Sequence, residues 1–275
     1  MPPAAKLFAP DREEIASLES WVSHAPPEQG AADWKDGHSA KEQAKAWLRP
    51  GAPAVPEELW SALSGLVDGE VDEVFARPEH PTRLDDDALA RQHDMFACAR
   101  RGRDTVLVVG VEAKACEDFD GVVADRGASG PPSQERARCN LLSQALFGRD
   151  VFDEATGQIL DQRLGRHGYE LWSAAVGTVI EAQERGVETV ALVVQQFVPR
   201  DLATDAADTD AEDRHRWESA IASNAQAFDA FAADLQAAGA TSFETDHVRA
   251  GTRLHVVRVE SPIDATELDT PGVTA

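Results

Sequence analysis

Residues 105–115 read TVLVVGVEAKA. A run so rich in branched residues is strand-forming. Along a strand, side chains alternate between faces. Val106, Val108, Gly110, Glu112 and Lys114 therefore share one face, and Leu107, Val109, Val111 and Ala113 share the other. Both faces begin apolar, so the strand must be covered on both sides and lie centrally in a sheet. A chain containing it must build a layered α/β core. Glu112 and Lys114 then emerge from that interior on the same side. An ionised group taken out of water without partners costs several kcal/mol, and adjacent same-face positions offset part of that cost.

The preceding segment supplies a second acid. His93 to Ala99 alternates as a strand, and Arg100, Arg101, Gly102, Arg103 and Asp104 form a turn around the glycine. The pair reads as a β-hairpin. A turn centred near 102–103 sets Asp94 opposite about residue 111–113, at the same end of the sheet as Glu112. Two carboxylates brought together repel, and need a cation or a shared proton. Lys114 provides one positive charge. A divalent ion held by few hard oxygen ligands, with water completing its shell, suits Mg²⁺, with Mn²⁺ as a substitute.

The rest of the chain reads as helices and strands around this hairpin. Residues 10–23, 39–48 and 56–66 have helical apolar spacing, with Ser39 and Glu42 placed as a capping box. Residues 133–147, 168–185 and 214–238 are further helices, with Gly186 placed to end the second. Residues 187–198 read as a buried strand, and 252–259 as a final one. Asp201–Asp213 holds six acids and no base and reads as a solvated loop. The expected fold class is α/β, a mixed central β-sheet flanked by helices. Its expected organisation is an N-terminal helical extension over 1–66, an α/β core over 67–261 and a tail over 262–275.

Charge restricts the partners. The chain has 49 acidic and 26 basic residues, a net charge of -23, and should be repelled by polyanions overall. Residues 91–168 carry 11 basic and 12 acidic residues, so the segment around the candidate site is nearly neutral. Cys98, Cys116 and Cys139 form no CxxC, which argues against a disulfide framework and fits a reducing cytoplasm. No apolar stretch is long enough to span a membrane, and the N-terminus lacks a signal-peptide pattern. There is no GxxxxGK[ST], GxGxxG, HExxH or GxSxG, which removes the common nucleotide-binding, zincin and hydrolase readings.

Asp94 followed, after a hairpin turn, by Glu112, Ala113 and Lys114 resembles the PD-(D/E)XK nuclease superfamily, whose fold is restriction-endonuclease-like. The resemblance covers about half the chain, residues 56–198. Where the family name has Pro before the acid, this chain has His93. The segment from Trp34 to Glu42, with His93 and Asp94, also resembles an uncharacterised bacterial branch related to that superfamily. The resemblance implies a Mg²⁺-dependent phosphodiesterase acting on DNA. It implies Asp94, Glu112 and the Ala113 carbonyl as metal ligands. Lys114 would orient or help deprotonate the attacking water and offset charge on the phosphorane. Gln144, on the following helix, matches a position where related nucleases carry a site-facing Gln. Glu73 or Glu79 would add a further acid from a preceding helix or loop. The alternative is a catalytically silent member of the fold, serving as a binding or regulatory module.

Other residues are weaker candidates. Arg100, Arg101 and Arg103 on the turn, and Arg136 and Arg138 on the next helix, are placed for phosphate contact or for ordinary solubility. Glu117, Asp118 and Asp120 read as loop acids near the motif. His80 and His93 read as packed histidines.

Overall fold

In the computed structural model, the structure describes residues 1–27, 30–48, 52–85, 90–127, 133–200, 211–239 and 251–263. Six strands form one sheet in the order β1-β2-β3-β4-β5-β6: β1 (Ala4–Leu7), β2 (Glu73–Thr82), β3 (Arg91–Arg101), β4 (Asp104–Lys114), β5 (Thr189–Pro199) and β6 (Arg253–Ile263). β2, β3 and β4 are antiparallel neighbours, whereas β1–β2, β4–β5 and β5–β6 are parallel. The sheet is therefore mixed, and β4 lies inside it, as its apolar faces require.

Helices cover both faces. On one side, α5 (Gln134–Phe147), α6 (Tyr169–Glu184) and α7 (Ala211–Ala237) place Leu142, Trp172, Ala175 and Phe231 against Phe96, Val108, Leu192 and Val194. On the other, α1 (Leu18–His24), α2 (Ser39–Leu48) and α3 (Glu57–Leu63) set Trp21, Trp47 and Leu59 against Ala97, Leu107, Val109 and Val193. A short α4 (Val123–Gly127) precedes α5.

Several expectations change. The extension is not wholly helical: β1 lies in it and joins the sheet beside β2. The helix expected over 10–23 begins only at Leu18, because Ser17 caps it, accepting the Ser20 N–H at 3.1 Å. Upstream, Ile15 stays tied to β1, donating its N–H to the Leu7 carbonyl at 2.9 Å. Ser39 and Glu42 form no capping box. Glu42 instead accepts the Gly37 N–H at 2.9 Å, and the Ser39 N–H goes to Glu117 at 3.1 Å. The acidic stretch 201–210 and residues 264–275 lie outside the described residues, and the last strand runs to Ile263, past the expected start of the tail.

One contact fixes how α6 meets the sheet beside the site. A Cβ on Gly110 would overlap the Thr178 hydroxyl and approach His93 Nδ1 to 3.2 Å. Thr178 is held in turn by its 2.6 Å bond to the Ala174 carbonyl. Gly110→Ala should lower stability by about 3 kcal/mol, since overpacking a close-packed core typically costs 1–3 kcal/mol and this neighbour cannot swing away. Thermal unfolding checks this. An unchanged Tm would contradict the close β4–α6 packing.

Candidate functional site

The hairpin register puts the predicted residues together. Met95 pairs with Val111, and the regular ladder stops there. At the next level Asp94 turns its carboxylate onto the backbone, accepting the Ala113 N–H at 2.7 Å through Oδ2. Opposite Asp94 on β2, Glu79 has φ +50°, an unusual conformation for a residue other than glycine. Such a break in a sheet re-aims side chains. Glu79 lines the same cleft as Asp94, Glu112, Ala113 and Lys114.

Glu112 and Lys114 are only 3% and 6% exposed, so their charges need partners. Lys114 Nζ lies 3.3 Å from Glu112 Oε1 and 2.8 Å from Glu170 Oε2, at the start of α6. It also sits 5.3 Å from the centre of the Phe119 ring. Arg91, at the start of β3, forms an ion pair through Nη2 with Glu112 Oε2. Two cations thus meet four carboxylates, those of Glu79, Asp94, Glu112 and Glu170.

The electrostatics follow from this crowding. Burial, then the nearby Glu79 charge, pushes Asp94 up to about 6 against the pull of Lys114, the Ala113 N–H and Arg91. Burial and the Asp94 charge push Glu112 up to about 8 despite Arg91 and Lys114. Burial would lower Lys114, but Glu112, Glu170 and Asp94 outweigh it and hold the ammonium above its ordinary value. Burial likewise raises Glu170, and Lys114 outweighs that and holds it below the ordinary range. In the metal-free cleft Lys114 is therefore held as an ammonium, able to attract and orient an anion, which fits the orienting role expected of it.

The cleft has a volume of about 1120 Å³. One wall comes from the N-terminal extension, through Pro26, Pro27, His38 and Ser39. Its outer part adds Asp33, Glu117, Asp118 and Asp120, so eight carboxylates face Arg91 and Lys114. Glu117, Asp118 and Asp120, read as loop acids, are thus part of the cleft. Among the described residues, no group of three or more acidic, histidine or cysteine side chains is arranged to hold a metal ion. The cause is visible in the pairing: Arg91 and Lys114 occupy Glu112. Asp94 has no such guanidinium or ammonium bond among the described residues; its carboxylate, Glu79 and Glu112 are hard oxygen donors of the kind Mg²⁺ takes, but they are not gathered here as a ligand group.

Other predicted residues fall elsewhere. Gln144 does not line the cleft. It is exposed on α5, donating to Asp150 at 2.9 Å, because that helix turns Leu142, Ser143 and Leu146 inward. Glu73 is at the far end of β2, paired with Lys6 at 2.8 Å, and both Glu73 and Glu79 lie on a strand rather than a helix or loop. Arg136 is fully buried, donating to the Gly127 and Glu154 carbonyls at 3.0 and 2.8 Å, so it is structural. Arg138 pairs with Asp85 at 2.6 Å. The arginine turn is at the opposite end of the hairpin, about 23 Å of strand from Asp94. His80 and His93 are packed, their rings 4.4 and 6.2 Å from Phe96. Burial keeps His93 well below its usual pKa and neutral.

The sequence reading missed Arg91 and Glu170. Both flank elements it located, at the start of β3 and the start of α6, but neither belongs to a spacing pattern. It also missed the brace behind the site. Gln196 Nε2 donates to the Ala115 carbonyl at 2.8 Å, and Asn224 on α7 donates to Gln196 Oε1 at 2.9 Å and the Glu117 carbonyl at 3.0 Å.

Fold and cleft together define a mixed α/β protein whose sheet ends in a buried acid–lysine–arginine cluster. Residues 14–263 match a family described as a domain of unknown function (DUF6946), and the chain belongs to that family. No curated protein and no solved structure matches it. No helix among the described residues is long and apolar enough to cross a membrane.

Proposed function

We propose that the cleft is the site of a Mg²⁺-dependent phosphodiesterase of the PD-(D/E)XK type, acting on DNA. The observation that carries this is the register that sets Asp94 beside Glu112, with Lys114 on the same face two residues on. The order α3, β2–β3–β4 meander, helices, then β5 parallel to β4 supports a restriction-endonuclease-like core. Three free cysteines fit a cytoplasmic setting.

Asp94, Glu112 and the Ala113 carbonyl would hold the ion, with Glu79 close by. A Mg²⁺ ion held there would supply Lewis acidity toward a phosphoryl oxygen and a bound water. The protein's own part is positional and electrostatic. Lys114 places a fixed positive charge where negative charge grows on the phosphoryl oxygens. Glu170 and Phe119 keep its ammonium aimed at that point. The Gln196–Asn224 brace holds the loop that follows Lys114.

The Arg91–Glu112 ion pair favours a second reading, a silent module in which the guanidinium permanently takes the place of a metal. Thermal melts in EDTA and in Mg²⁺ or Mn²⁺ separate the two. An ion that binds only the folded state raises Tm, by RT ln(1 + [L]/Kd) in free energy. The phosphodiesterase reading expects that rise, and its loss in Asp94→Asn. No rise in the wild-type protein would favour the silent module. Arg91→Ala sharpens the comparison. Removing one partner of a buried pair costs about 3 kcal/mol, so the metal-free Tm should fall. The Mg²⁺-induced rise should grow, because Glu112 no longer has to exchange a guanidinium. A smaller metal-induced rise in Arg91→Ala would contradict that competition.

A further inference from the structure

A cleft with eight carboxylates needs help to receive an anionic strand. A groove of about 160 Å³ on the same strands has the opposite chemistry. It lies where α6 stops covering the sheet, over β1, β2 and β3. Phe8, Phe75 and Phe96 line it, together with Arg77, His80 and Arg185. Phe8 and Phe75 are stacked, ring centres 6.1 Å apart at 13°. The Arg100 guanidinium sits 4.9 Å over the Phe75 ring, and that of Arg185 sits 4.9 Å over Phe96.

Of these cations Arg185 is neutralised by an acid, and Arg100 and Arg77 are not. Glu73 pairs with Lys6, and Glu181 with Arg185. Arg77 and Arg100 have no carboxylate partner among the described residues, although both are half-buried. In a chain with 49 acidic and 26 basic residues, two half-buried unpaired guanidiniums beside one aromatic groove call for an anion. The half-buried Phe8–Phe75 pair beside guanidiniums fits an unpaired base between phosphates, the pattern of single-stranded nucleic-acid binding. Arg77 is two residues from Glu79, about 7 Å along β2, so the groove and the cleft are neighbours on one strand.

We infer that this groove binds single-stranded nucleic acid, a base packing against the half-buried Phe8–Phe75 pair and adjacent phosphates meeting Arg77 and Arg100. It would anchor the strand whose next phosphodiester enters the cleft. The inference rests on the phosphodiesterase reading for its purpose, but binding can be tested without cleavage.

The experiment is fluorescence anisotropy of a fluorescein-labelled single-stranded oligodeoxythymidine, in EDTA at about 50 mM salt, with full-length protein. Wild type should bind. Arg77→Glu and Arg100→Glu should each weaken binding at least tenfold. Phe75→Leu, which keeps apolar bulk but removes the ring, should weaken it about fivefold or more. Circular dichroism confirms that each variant is folded. Absence of wild-type binding, or equal binding by folded Arg77→Glu, would overturn the inference. So would undiminished binding by Phe75→Leu with heparin competing as well as the oligonucleotide, since charge alone would then explain it. Binding without cleavage in Mg²⁺ would keep the groove and sink the phosphodiesterase reading. Cleavage with an unchanged KM in Arg77→Glu would do the reverse.

Discussion

Lys114→Ala is expected to remove metal-dependent cleavage, by a factor of at least about 10²–10³, the usual cost of deleting one donor that meets transition-state charge. It should also cost stability. Glu112 and Glu170 both lean on this ammonium, at 3.3 and 2.8 Å, and lose their shared counter-charge with it. Breaking a buried pair by removing one partner costs about 3–5 kcal/mol. The melting temperature should fall by roughly 10 °C for a chain of this size. Lys114→Arg separates the two effects. It restores the counter-charge and much of the stability, while its planar fork cannot present a compact charge at the same point. Cleavage by Lys114→Ala at the wild-type rate would contradict the role given to the lysine.

Asp94→Asn should act in the opposite sense on stability while abolishing metal binding. Asp94 is raised from an ordinary 3.8 to about 6, and Glu112 from 4.5 to about 8. For a carboxyl raised on folding, stability is fully present below the unfolded pKa and is lost as pH rises through the folded one. The metal-free protein should therefore lose stability between about pH 4 and pH 8. Glu170, held below its ordinary value, contributes evenly across most of that window. Asn keeps an oxygen for the Ala113 N–H but carries no charge. A shift of two pKa units corresponds to at most about 3 kcal/mol, and water in the cleft reduces it, so a gain of about 1–2 kcal/mol at pH 8 is expected. Melts of Asp94→Asn and wild type in EDTA from pH 5 to pH 9 should diverge as pH rises. Curves that stay parallel would contradict the charge crowding at Asp94. Glu112→Ala should not gain in this way, because it leaves Arg91 without its carboxylate.

The parts legible in the sequence were those with a local cause. The Val-rich run had to be a central strand, and the Gly102 turn fixed its partner, so Asp94, Glu112 and Lys114 converged from register alone. The helices at 134–147 and 169–184 announced themselves through Ser133 and Gly186. The parts missed depend on tertiary placement. β1 is four residues, AAKL, with little strand propensity, and forms because β2 offers it an edge. Gln144 was placed by analogy, and the rotation of α5 turned it to solvent. Arg91 and Glu170 are separated by 79 positions and meet only through Glu112 and Lys114. The positive φ that aims Glu79 belongs to no motif. The acidity of the cleft was visible as composition, but not as eight carboxylates around one opening.

The central claim is best tested by incubating linear, circular and single-stranded DNA with wild-type and Asp94→Asn proteins in Mg²⁺, Mn²⁺ and EDTA. Cleavage is expected from wild type only, in either metal and not in EDTA, and the form of DNA cut will separate end-dependent from internal cleavage. Cleavage that persists in EDTA or in Asp94→Asn would contradict it, as would intact DNA under every condition.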